Sequence, residues 1–87
     1  MKIEPTPIKG CYVIHNDLHK DNRGHFMEAY NRTQFKEFGL DFSVEQINVC
    51  QSKKNVFRGL HFQLDPYAQT KMIIALSGAV IDLVIDL

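Results

Sequence analysis

The chain has 87 residues, 45% of them apolar and 23% charged, with ten basic residues cancelling ten acidic ones. That composition excludes a disordered or fibrous chain, and the balanced charge leaves no electrostatic footprint for nucleic acid or an anionic membrane. No apolar run approaches the ~20 residues that span a bilayer. The opening MKIEPTPIKG places a Glu and two Pro where a signal peptide needs an apolar core. Two cysteines, Cys11 and Cys50, are too few for a disulfide framework, so a reducing, cytoplasmic setting is expected.

No repeat, linker or low-complexity stretch interrupts the chain, so residues 1–87 read as one domain of short strands. Residues 8–14 are apolar and β-branched enough for a strand. Residues 15–24 (HNDLHKDNRG) carry turn chemistry, and residues 25–30 alternate weakly as a strand. Residues 31–39 are the helix candidate. Asn31 can cap it, Gln34 holds the capping-box position, Phe35 and Phe38 share a face, and Gly39 stops it.

From residue 43 the period is two. Residues 43–52 form a predicted strand with Val44, Gln46, Asn48 and Cys50 on one face and Ile47 and Val49 on the other. Lys53-Lys54-Asn55 is a polar turn, residues 56–63 are a strand interrupted by Gly59, and residues 64–69 are a loop holding Pro66. Residues 70–76 and 79–87 are strands joined at Ser77-Gly78. Several short strands with one short helix predict an all-β sandwich or barrel. The final MIIALSGAVIDLVIDL reads as a buried strand running to Leu87. The expectation is that a partner covers it, or that the chain is the first part of something longer.

The densest chemical signal is a set of polar residues inside apolar strands: Gln46, Asn48, Arg58, His61, Gln63, Lys71 and Asp82. Charged groups are almost never fully buried unless paired or functional. Parity puts Gln46 with Asn48, and His61 with Gln63. Arg58 and His61 are three apart, and a bulge at Gly59 would turn both to one side. Each residue alone has a plainer reading. His61 fits a hydrogen-bonded structural histidine, Lys71 an edge gatekeeper, Arg58 a surface ion pair and Asp82 a solvent-facing residue. Convergence on one sheet face would instead line a pocket. A metal centre is disfavoured. The strand that would offer His-x-His in a metal-binding cupin here offers His61-Phe62-Gln63, and Asn16 and Asp17 make a poor helix for a His15/His19 pair. Cys50 has no local activating base, and Cys11 suits a core thiol.

One ordered set of motifs resembles a known family. Asp21-Asn22-Arg23-Gly24-His25-Phe26-Met27-Glu28 is followed by Gln46-Ile47-Asn48, by Arg58-Gly59-Leu60-His61-Phe62-Gln63, by Gln69-Thr70-Lys71, and by Gly78 with residues 82–86. Together these resemble the dTDP-4-dehydrorhamnose 3,5-epimerases, cupin enzymes of dTDP-L-rhamnose synthesis. Cys50 stands where that pattern usually has Ser.

The resemblance implies a cupin-like jelly-roll β-barrel, here partial and missing its C-terminal half, and a homodimer. It implies a dTDP-linked 4-keto-6-deoxy sugar as substrate, with no cofactor and no metal. His61 matches the base that removes the C3 and C5 protons, Lys71 the group beside the enolate oxygen, and Asp82 a pocket carboxylate near that lysine. Arg23, Phe26, Glu28, Gln46, Asn48 and Arg58 match positions that hold the nucleotide and sugar. The family's proton-donor tyrosine matches none of Tyr12, Tyr30 and Tyr67. Two further readings accompany this one: a non-catalytic fragment that at most binds the nucleotide sugar, and a related single-site epimerase or 3,4-ketoisomerase.

Overall fold

A computed structural model describes all residues from Met1 to Leu87. The chain divides into two compact units, residues 1–43 with 84–87, and residues 44–83. All regular structure lies in the first. It is a small all-β arrangement of two antiparallel two-stranded sheets and one short helix, and no closed barrel is seen.

The first sheet pairs β1 (Lys2–Pro5) with β2 (Tyr12–His15), with the half-buried Ile3 and Ile14 opposite one another. The predicted strand over residues 8–14 therefore begins later, at Tyr12. Residues 6–11 are a loop, and its polarity is satisfied locally. Thr6 N–H donates to the Cys11 carbonyl at 3.1 Å, the Thr6 hydroxyl accepts from Ile8 N–H at 3.2 Å, and Cys11 N–H donates to the Ile8 carbonyl at 3.1 Å. These bonds compete with extension of the strand.

The second sheet pairs β3 (Leu18–Asp21) with β4 (Gly24–Met27) around the two-residue turn Asn22-Arg23. The turn expected over residues 15–24 is thus confined to Asn22-Arg23, and six of those residues are strand: His15, the four of β3, and Gly24. The Asp21 carboxylate takes the Arg23 backbone N–H at 2.8 Å, an Asx turn that holds the reversal.

The helix α1 (Arg32–Glu37) forms where its caps predict. Asn31 Oδ1 accepts from Gln34 N–H at 3.0 Å. At the other end Leu40 N–H returns to the Phe35 carbonyl at 2.9 Å and Gly39 N–H to Lys36 at 3.0 Å, a Schellman closure with Gly39 at φ 83°. Phe35 is the one fully buried side chain, 1% exposed. Tyr30 meets it edge-on with centroids 4.8 Å apart, and Phe42 at 6.0 Å completes the aromatic cluster. Phe38 does not share that cover and is half exposed, because the helix ends at its position.

The strands predicted over 43–52, 56–63, 70–76 and 79–87 are not paired. The breaks between them fall where expected. Val56 N–H closes on the Lys53 carbonyl at 3.3 Å, Tyr67 N–H on Leu64 at 2.8 Å, and Gly78 has φ 74°. These segments carry large apolar side chains, and residues 72–76 and 79–81 are apolar on both faces, as strands buried between two layers are; a lone hairpin offers no such cover. Their large side chains are correspondingly exposed, Ile47 at 80% and Ile81 at 91%.

Phe35→Ala should cost about 3–5 kcal/mol, and Asn31→Ala about 1 kcal/mol, measured by denaturant unfolding followed in the near-UV signal of the tyrosines. Equal effects of the two would contradict the placing of the core at Phe35.

Candidate functional site

In the first unit the β3–β4 hairpin gathers most of the polar and titratable side chains that line a groove. An open groove of about 530 Å³ is lined by His19, Lys20, Asp21, Arg23, Gly24, His25 and Phe26. Two of the sequence-derived residues, Arg23 and Phe26, meet there. Strand pairing sets Phe26 opposite His19, with ring centroids 6.4 Å apart. Phe26 is exposed and is not a piece of core. Glu28 lies in a second groove of about 220 Å³ with Met1, Asp17, His19, Phe26 and Gln34. Lys20 and His25 were given no role from the sequence, and His19 entered only as half of a disfavoured metal pair. Their signal was there: a two-residue turn flanked by alternating triplets puts their positions on a hairpin.

Arg23 is already engaged. Its Nε donates to Asp21 Oδ2 at 3.1 Å and its Nη2 to the same oxygen at 2.6 Å. These bonds, with the Arg23 backbone N–H, hold the Asp21 carboxyl below the usual carboxylate range and push the guanidinium up. Asp17 is held low by the hydrogen bond and the charge of the Met1 ammonium.

The second unit carries Gln46, Asn48, Arg58, His61, Lys71 and Asp82, all exposed. Gln46 Nε2 donates to Asn48 Oδ1 at 3.1 Å, so the expected shared face of that pair is realised as a contact. Arg58 donates from Nε to Ser52 Oγ at 2.8 Å and from Nη2 to the Gln51 carbonyl at 3.3 Å. No hydrogen bond or ion pair joins His61, Lys71 and Asp82 to one another. The expected bulge at Gly59 has no ladder to interrupt. Gly59 is instead needed for its own backbone, φ 108°, and for space: a Cβ there would lie 3.2 Å from His61 Nδ1. No group of three or more His, Cys, Asp or Glu side chains is placed to hold a metal ion. Cys11 and Cys50 are free thiols, and His15 and His19 lie on different strands. No helix is long and apolar enough to cross a membrane.

A family model described as dTDP-4-dehydrorhamnose 3,5-epimerase matches residues 5–87. The chain belongs to that family of sugar-nucleotide epimerases. It is 38% identical to the dTDP-4-dehydrorhamnose 3,5-epimerase of Shigella flexneri, with 100% of this chain and 49% of that protein covered. It is 37% identical to the enzyme of the same name from Methanothermobacter thermautotrophicus, with 94% of this chain and 44% of that protein covered. It is 33% identical to a dTDP-4-dehydro-6-deoxyglucose 3-epimerase of Streptomyces sp, with 97% and 43% covered. The chain therefore spans about half the length of the curated relatives it matches. No solved structure matches it.

Two outcomes check this geometry. The Asp21 carboxyl should titrate below the ordinary carboxylate value, and Arg23→Ala should raise it part of the way back, because the backbone N–H of residue 23 remains. Because the shift is downward, the Asp21–Arg23 contact is present above the ordinary carboxylate pKa and is lost as pH falls through the lowered one. An unchanged midpoint in carboxyl-carbon NMR would contradict the pairing. Gly59→Ala should displace the His61 ring resonances, whereas Gly78→Ala, with nothing within 4 Å of its added Cβ, should leave them in place.

Proposed function

We propose that this chain supplies the proton-abstracting and nucleotide-holding residues of a dTDP-4-dehydrorhamnose 3,5-epimerase. The observation that carries the reading is the family match over residues 5–87, which includes all the motif residues. The substrate is a dTDP-linked 4-keto-6-deoxyhexose. Its ketone acidifies the C3 and C5 hydrogens, so neither a cofactor nor a metal is required to remove them.

His61 takes each proton in turn. An imidazole changes charge near neutral pH, which suits a base that must also release its proton. Lys71 donates to the oxygen on which enolate charge develops, a contribution on the order of 3 kcal/mol. Asp82 is the carboxylate beside that lysine. Arg23 and Arg58 hold the diphosphate through planar, paired donors. Phe26 stacks on the base, and Glu28, Gln46 and Asn48 take polar edges of the nucleoside and sugar. The returning proton is not assigned to Tyr30, whose hydroxyl already donates to the Phe42 carbonyl at 2.9 Å.

We also propose that residues 1–87 belong to one jelly-roll β-barrel domain that works as a homodimer in the cytoplasm. The support is the apolar runs 72–76 and 79–81, which need cover on both faces, together with the family. A second reading, a non-catalytic protein that binds the nucleotide sugar, is favoured by the lack of contact among His61, Lys71 and Asp82. A third, epimerisation at one carbon, is favoured by the likeness to the 3-epimerase of Streptomyces sp.

Proton NMR in deuterium oxide with the dTDP-4-keto-6-deoxyhexose separates the three. Exchange at both C3 and C5, reduced about 10²–10⁴-fold by His61→Ala, is expected. Exchange at one carbon gives the single-site reading, and none gives the binding reading. Undiminished exchange in His61→Ala would overturn the role of His61.

A further inference from the structure

The guanidinium of Arg58 is held along one edge. Nε donates to Ser52 Oγ at 2.8 Å and Nη2 donates to the Gln51 carbonyl at 3.3 Å. A guanidinium donates in parallel pairs along two edges, Nε with Nη2 and Nη1 with Nη2. The first is taken up by residues 51 and 52. The second is left for an acceptor that the chain does not supply.

The nature of the two holding groups matters. Both are neutral, so Arg58 keeps its whole charge for the outside acceptor. Arg23 is the contrast, because there a carboxylate occupies the same edge and offsets the charge. An arginine fixed before its ligand arrives also loses less rotamer freedom on binding.

We propose that Ser52 is a positioning residue, which presents the Nη1/Nη2 edge of Arg58 to a phosphate of a nucleoside diphosphate. This rests on the nucleotide-sugar reading above and adds to it a residue with no place in the motif assignments. The Ser52 hydroxyl acts as the acceptor, so threonine preserves the function and alanine removes it.

The test is calorimetric titration of the chain with dTDP and, separately, with thymidine, which has no phosphate. Ser52→Ala should weaken dTDP binding about tenfold and leave thymidine binding unchanged. Ser52→Thr should keep dTDP affinity within about twofold, and in an Arg58→Ala background Ser52→Ala should cost nothing more. No loss in Ser52→Ala, an equal loss for thymidine, or a loss that persists without Arg58 would overturn the proposal. Binding of neither ligand by the unsubstituted chain would overturn the nucleotide-sugar reading itself. The clasp is then decided by the Arg58 Nε–H resonance. It should exchange with water more slowly in the unsubstituted chain than in Ser52→Ala, and equal rates would overturn it.

Discussion

An extended strand leaves its backbone N–H and C=O groups unsatisfied until another strand lies about 4.8 Å away. The rest of this structure follows from where such a neighbour is near at hand. β1 finds β2 across a six-residue loop that closes its own hydrogen bonds, and β3 finds β4 across a two-residue Asx turn. Residues 44–83 have the same period-two pattern and no pairing. The difference lies in the side chains. β3 and β4 carry His19, Lys20, Asp21 and His25, which water solvates, so a two-stranded ribbon leaves only Leu18 and Phe26 of its large apolar side chains exposed. Ile73, Leu76, Val80 and Ile81 need cover on both faces, which a ribbon alone does not give.

The same constraint bears on the chemistry proposed for His61 and Lys71. A base and a cation act strongly on a developing enolate when fixed in a site that excludes water, because charge interactions there are far less screened. His61 and Lys71 are exposed and are not joined by a hydrogen bond. What local structure does provide is preparation of single groups: Gly59 leaves room for the His61 ring, residues 51–52 hold Arg58, and Asp21 holds Arg23. Each of these works within about seven residues of chain and needs no sheet.

The sequence was legible where local chemistry decides. The cap at Asn31 and the stop at Gly39 bracket the helix as read, because both ends are satisfied by bonds spanning three to five residues. β1 was missed because Pro5 and Pro7 disguise a short strand, and β3 because Asp, Asn and Gly at its end drew the whole stretch into the turn. Phe38 repeats the spacing of Phe35, yet the helix closes before that spacing can bury it. The family was legible through ordered motifs, not through periodicity. Ser52 escaped because a hydrogen bond to a side chain six residues on leaves no mark in either.

The central claim is that pairing is confined to strands whose neighbours are local and whose faces water can solvate. Amide hydrogen exchange tests it residue by residue. The account predicts slowed exchange at the paired amides of β1 to β4 and at Gly39 and Leu40 behind α1, with exchange near the unfolded rate through residues 44–83 apart from the Val56 and Tyr67 turns. A continuous block of protected, alternating amides over 43–52 or 70–76 would contradict it.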